Sequence, residues 1–149
     1  MIKLNLPDIE FKTRIVAKQV QIFDTVRRRY VALTPEEWVR QHFLHYLHVI
    51  KKVPLSHIAV EISLKVNRLA KRADIIVYKE GLYPFLAVEC KAPSVEVTEA
   101  VFYQLLRYNM TLRVQYLIVT NGLRHVYCKV DYENQKADFI EELPDYDKL

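Results

Sequence analysis

An acid and a base set two residues apart can share one surface of a strand, and that spacing occurs at Glu89-Cys90-Lys91. Side chains alternate along a strand, so Glu89 and Lys91 project together while Leu86, Val88 and Cys90 face the other way. The run Phe85 to Val88 is apolar on both sides, which marks a central strand, and buried charges are rare unless paired or bound to a metal. Asp74 belongs near the start of the preceding strand, and a hairpin turning at Lys79 to Gly81 would lay the two strands side by side. Two hard oxygen donors then converge, a pair suited to Mg²⁺ whose shell is completed by water and phosphate oxygens. Lys91 beside them is placed to orient or deprotonate an attacking water, or to stabilise charge growing on a phosphate.

The triplet alone carries little, and the chain holds its own decoy. Pro7-Asp8-Ile9-Glu10-Phe11-Lys12 also has an acid before Glu-x-Lys, but one residue between the acids leaves no room for a hairpin. Gln104 and Tyr108, four apart, share a helix face, which by itself also fits an ordinary helix surface. Glu36 and Glu37 are candidate metal ligands from an earlier helix, although helix capping and the helix dipole account for acids at these positions equally well. Gln41, one turn after Glu37, is a further candidate for the same role.

These residues need elements to hold them. Thr34-Pro35-Glu36-Glu37 reads as a helix start, with Thr34 as cap, Pro35 in the first turn and Glu37 completing a capping box. The helix runs to about Ile50, with Val39, Phe43, Leu44, Tyr46, Leu47 and Ile50 on its apolar stripe and Arg40, Gln41, His45 and Lys51 on other faces. From Ile58 to Val66 the period becomes two, the mark of a strand with one wet face. Strands follow over 73–78 and 85–91, a helix from Glu96 to about Leu112, an apolar strand from Val114 to Thr120, a turn at Asn121-Gly122 and a returning strand from Arg124 to Val130. This order predicts an α/β fold around a mixed sheet, one domain over 1–149. Within it, 1–30 reads as short strands and a basic arm, 31–130 as the core that carries the chemistry, and 131–149 as a polar tail.

Composition narrows the functions. Gly81 and Gly122 are the only glycines in 149 residues, so no Walker A loop, dinucleotide-binding GxGxxG turn or GxSxG elbow can be built. The two cysteines, Cys90 and Cys128, form neither a CxxC pair nor a disulfide framework. No signal-peptide core or membrane-length apolar run is present, and a cytoplasmic protein is expected. The net charge of +4 suits a polyanionic partner without demanding one. Arg27 to Arg29, with Lys51, Lys52, Arg68, Lys71 and Arg72, either line a phosphate-binding surface or are scattered surface charge.

Taken together, the order of elements and motifs resembles the PD-(D/E)xK nuclease superfamily. Arg72-Ala-Asp74-Ile-Ile-Val-Tyr, Leu86-Ala-Val-Glu89-Cys-Lys91-Ala-Pro and Gln104-Leu-Leu-Arg107-Tyr108-Asn are more closely similar to the N-terminal nuclease domain of type I restriction enzyme R (HsdR) subunits. Thr34-Pro-Glu-Glu-Trp-Val-Arg-Gln41 is similar to the stretch that opens that family's first helix. The resemblance implies a restriction-endonuclease-like mixed central sheet flanked by helices, and Mg²⁺- or Mn²⁺-dependent hydrolysis of DNA phosphodiesters. It implies Asp74 and Glu89 as metal ligands, Lys91 as the catalytic lysine and Gln104 as the auxiliary residue, with Glu37 of the first helix kept as a further candidate ligand. Arg72, Arg107 and Tyr108 become candidate DNA contacts, and the implied partners are DNA with the motor, methyltransferase or specificity subunits of a restriction system. The superfamily's proline before the first acid is replaced by Ala73, and the ATP-driven motor of an R subunit is absent from the sequence. A non-catalytic nucleic-acid-binding or assembly module on the same fold is the competing expectation.

Overall fold

The fold was analysed in a computed structural model. It describes residues 1–66, 69–79, 83–109 and 112–149, with side chains described outside 62–72 and 108–109. Gly81 of the expected hairpin turn and the side chains of Lys71, Arg72 and Tyr108 lie outside the described residues, as does Arg68.

Three short strands come first: β1 (Thr13–Val16), β2 (Gln19–Asp24) and β3 (Arg29–Ala32) form an antiparallel sheet in the order β1-β2-β3. The stretch expected as a basic arm is thus the end of β2, a turn and β3. Helix α1 (Pro35–His45) follows, continued by a π-turn over Tyr46–Ile50. Thr34 Oγ1 accepts from the Glu37 amide at 3.1 Å, and Pro35 occupies the first turn where its missing N–H costs nothing. A second sheet of six strands then forms in the order β4-β5-β6-β7-β8-β9. Its strands are β4 (Ile58–Val66), β5 (Leu69–Lys79), β6 (Tyr83–Cys90), β7 (Tyr116–Thr120), β8 (His125–Asp131) and β9 (Lys136–Ile140). All neighbours are antiparallel except β6 and β7, which are joined through α2 (Glu99–Asn109). A parallel pair needs such a crossover, and a helix fills it.

The alternation along β5 and β6 feeds two cores. Ile75, Val77, Leu86 and Val88 pack with Val39 and Phe43 of α1 and with Leu47 of the π-turn that continues it. Ile76 and Ala87 pack with Phe102 and Leu106 of α2 on the opposite face. Both faces of the sheet are therefore covered, and β6 is buried from Phe85 to Cys90.

Three differences from the sequence reading have clear physical causes. Arg40, Gln41 and Lys51 are buried, although their positions lie off the apolar stripe. The N-terminal sheet supplies partners for that side of α1: Gln41 Nε2 donates to Asp24 Oδ2 at 2.8 Å. Lys51 is held by Glu142 at 2.9 Å. The stretch from Asp131 supplies β9, whose register with β8 runs from Tyr127↔Ile140 to Asp131↔Lys136. Leu143 beyond it is fully buried. Helix α2 starts at Glu99 and not at Glu96, because Thr98 Oγ1 accepts from the Val101 amide and begins the helix there.

Candidate active site

Asp74 sits where β5 parts from β6. The last paired position is Ile75↔Val88, and one step further the antiparallel register sets Asp74 opposite Glu89. There the side chain takes over from the ladder: the amide of Cys90, in the peptide that joins Glu89 to Cys90, donates to Asp74 Oδ2 at 2.7 Å. Lys91 ends the motif, its own amide donating to the Thr120 carbonyl of β7 at 2.8 Å. Neighbouring strands thus clamp the backbone of the Glu89-Cys90-Lys91 segment from both sides. Leu86, Val88 and Cys90 belong to the core on the α1 face. Strict alternation therefore turns Glu89 and Lys91 to the other face, the one that carries α2. Glu89 is largely buried and Lys91 partly so, while Asp74 keeps 16% of its side chain in contact with solvent.

The other carboxylate oxygen of Asp74 is engaged too. Arg40 Nη2, reaching from α1, lies 3.2 Å from Asp74 Oδ1. The same nitrogen lies 3.1 Å from Glu36 and 3.4 Å from Glu61, and Arg40 Nη1 is paired with Glu37. Arg27, from the turn after β2, bridges the second Glu37 oxygen, Glu61 and Asp24. Two arginines and five carboxylates thereby join the N-terminal sheet, α1, β4 and β5 into one network. Burial works against the charge of Arg40, but Glu37 first, then Asp74 and Glu61, outweigh it and raise its pKa above the ordinary value. Asp24 is wholly buried, which by itself would raise its pKa, yet hydrogen bonds from the Arg27 amide and from Gln41 hold it below the usual carboxylate range. The Cys90 thiol is pushed well up by burial and then by Asp74, so it stays protonated and is no nucleophile.

The first-helix candidates therefore have definite places. The Glu37 carboxylate faces Arg27 and Arg40, where a capping box would have turned it back to Thr34. Gln41 belongs to Asp24, on the far side of the network from Asp74. Glu36 is half-exposed and lines a cleft of about 480 Å³ together with Arg27, Val31, Arg40, Glu61 and Ala92. Gln104 and Arg107 lie on the exposed side of α2. Among the described residues, no group of three or more His, Cys, Asp or Glu side chains is arranged to hold a metal ion. The donor chemistry nevertheless suits a hard divalent cation, since Asp74 and Glu89 are carboxylates at opposed positions of neighbouring strands.

Sequence reasoning missed Arg40, Arg27, Asp24 and Glu61. One signal for Arg40 was available, because Glu36, Glu37 and Arg40 stand three and four apart on one helix face. Nothing local signals that Asp24 and Arg27 would meet them.

A six-stranded mixed sheet with helices on both faces, and acids at the parting of two central strands, defines a restriction-endonuclease-like fold. The family model for the N terminus of type I restriction enzyme R proteins (HSDR_N) matches residues 35–144, and this chain belongs to that family. Among solved structures it is similar to a fragment assigned as an HsdR subunit of a type I restriction enzyme from Vibrio vulnificus YJ016. The two share 20% identity with a TM-score of 0.57, over 78% of this chain and 24% of that one. The chain thus spans about a quarter of the length of the structure it matches. No curated protein matches it. Among the described residues, no helix is long and apolar enough to cross a membrane.

Proposed function

We propose that this chain is the nuclease module of a type I restriction R protein, hydrolysing DNA phosphodiester bonds with Mg²⁺ or Mn²⁺. The observation that carries the reading is the bond from the Glu89–Cys90 peptide to Asp74, which fixes one acid beside the backbone of the other. Asp74 and Glu89 would hold the ion, with Glu36 or Glu37 assisting only if the arginines release them. A divalent ion polarises a phosphoryl oxygen and lowers the pKa of a bound water. Lys91, two residues beyond Glu89 on the same face, orients that water or meets the charge on the phosphate. Gln104 is the auxiliary residue, with Arg72, Arg107 and Tyr108 as contacts to the DNA. Motor, methyltransferase or specificity subunits would come from other parts of the restriction system.

One observation favours a second reading, a nuclease fold retained for binding or assembly without cleavage. Arg40 already supplies Asp74 with a cation. A cleavage assay on plasmid and single-stranded DNA, with Mg²⁺ or Mn²⁺, separates the two. The nuclease reading expects metal-dependent nicking that Lys91→Ala lowers by roughly 10²–10³-fold or more, the loss typical of removing one group that stabilises transition-state charge. Wild-type protein that binds DNA but leaves it intact with both metals would establish the non-catalytic reading instead.

A further inference from the structure

The net charge is not spread over the molecule. Residues 1–34 hold seven Lys and Arg against three Asp and Glu, which is the whole excess of +4, while residues 35–149 hold fifteen of each. The excess lies outside the segment that the family model matches, 35–144. Within the N-terminal sheet Arg27 is spent on the buried network, but Lys12, Arg14, Lys18, Arg28 and Arg29 are exposed. Among the described residues, none of these five forms an ion pair.

Their arrangement is ordered. The register Arg14↔Gln21 and Phe23↔Tyr30 sets Arg14, Gln21, Phe23 and Tyr30 on one face of the sheet. Arg14 Nε donates to Gln21 at 2.7 Å and its guanidinium lies 4.0 Å from the Tyr30 ring centre, so the side chain is held flat with its outer nitrogens free. Lys12 leans over Phe23 at 6.0 Å in the same way. Ala17 and Lys18, at φ 49° and 66°, close the β1–β2 hairpin, positive values at both turn residues matching the twist of its strands. Ile15, 74% exposed, and Val16 and Val20 stand near the hairpin end without a covering element. The opposite face is anchored by the fully buried Ile22 and Asp24. The result is a projecting two-stranded ribbon with a fixed root, bare cations and an apolar tip.

We infer that this N-terminal sheet is a wing that binds double-stranded DNA, its cations on the phosphates and its hairpin tip against a groove. Charge complementarity selects the partner: exposed cations, with Lys12 and Arg14 held over aromatic rings on one face, match a polyanion, and a two-stranded ribbon fits the width of the major groove. Arginine held in advance by stacking loses little further freedom on meeting a phosphate. The wing also borders a cleft beside the arginine network that holds Asp74. The cleft that begins at Val31 of β3 passes Glu36 and Glu61 and reaches Ala92, the residue after Lys91. The inference rests on the proposed function only for the choice of DNA as the polyanion.

The test is duplex binding by fluorescence anisotropy in EDTA, where no hydrolysis interferes, from about 50 to 200 mM salt. The triple variant Lys12→Gln, Arg14→Gln, Lys18→Gln should weaken binding by roughly ten- to a hundredfold and lower the salt slope by about 2–3, near 0.9 for each phosphate that is no longer neutralised. A control triple, Lys129→Gln, Lys136→Gln and Lys148→Gln, removes equal charge from the other sheet and the C-terminal end and should change binding far less. Unchanged affinity and slope in the wing triple would overturn the inference. So would an equal loss in the control, which would reduce the effect to net charge, or wing-dependent binding to anionic vesicles but not to DNA. Far-UV circular dichroism checks that the wing triple is folded, and the Arg28→Gln, Arg29→Gln pair provides a second reading from β3. Failure of cleavage is separable, because wing-dependent binding with no metal-dependent nicking would sink the nuclease reading and leave the wing.

Discussion

Arg27 and Arg28 are adjacent in the chain, yet Arg27 is 13% exposed among Asp24, Glu37 and Glu61, whereas Arg28 stands in solvent on a turn residue at φ 57°. The same division separates two regions of the molecule. Around Arg40 and Arg27, charge is turned inward and fully opposed, and it ties α1 to both sheets beside Asp74. On the N-terminal sheet, cations turn outward and are left bare. Buried charge must be paired because an uncompensated ion out of water costs several kcal/mol, whereas exposed pairs are worth at most about 1 kcal/mol. Bare cations on the wing therefore cost the fold almost nothing and are free to bind.

The largest expected effect comes from breaking the inward cluster. Arg40→Ala removes the cation that faces Asp74 and leaves Glu37 and Glu61 to share Arg27, and should destabilise the protein by about 3–5 kcal/mol in urea unfolding. Adding Glu37→Gln should recover part of that loss, because it removes one of the carboxylates that outnumber the remaining arginine. A loss below about 1 kcal/mol would mean that water already screens the cluster, and the contrast between the two regions would disappear.

The outcome for Arg40 also marks how far local sequence reaches. The cap at Thr34, the period-two run of β4 and the alternation of β6 are local properties, and a short hairpin between β5 and β6 was enough to expect Asp74 beside Glu89. Partners brought from far along the chain were not readable in that way. Arg40 looked like a solvated position because nothing in its own helix records that the N-terminal sheet lies over it. Glu37 was expected to complete a capping box with Thr34, and instead its side chain answers to Arg40 and to Arg27, ten residues earlier and on another element. The segment after Asp131 is mostly polar, and Phe139 of β9 is itself half exposed, so its alternation was too weak to signal a strand.

A smaller and graded effect should follow pH. His42 and His125 have pKa values lowered by burial, so below about 6.5 the unfolded chain takes up protons that the folded one refuses. Stability should therefore decline as pH falls through that value. In its neutral form His125 donates from Nε2 to the Asn5 carbonyl and accepts at Nδ1 from the Thr120 hydroxyl. Asp24 adds a second decline: its contribution is complete above the ordinary value near 3.9 and is lost as pH falls through its lower folded value. A pH series of urea midpoints should show both steps, and His125→Gln should soften only the first.

The smallest effect is the most discriminating for the wing. Arg29 starts β3, where its backbone pairs with Asp24 while its side chain points to solvent without an ion pair among the described residues. Arg29→Gln keeps the strand's length and hydrogen-bonding capacity and removes only the charge. Its melting curve should match the wild type to within about 0.5 kcal/mol, as for other surface changes away from caps and networks. Reduced duplex binding at unchanged stability is the signature of a cation kept for a partner. If instead Arg29→Gln costs 1.5 kcal/mol or more, as roughly expected of a buried polar group losing its partner, the wing's cations serve the fold as Arg27 does, and weakened binding in the wing variants would then report on folding and not on contact with DNA.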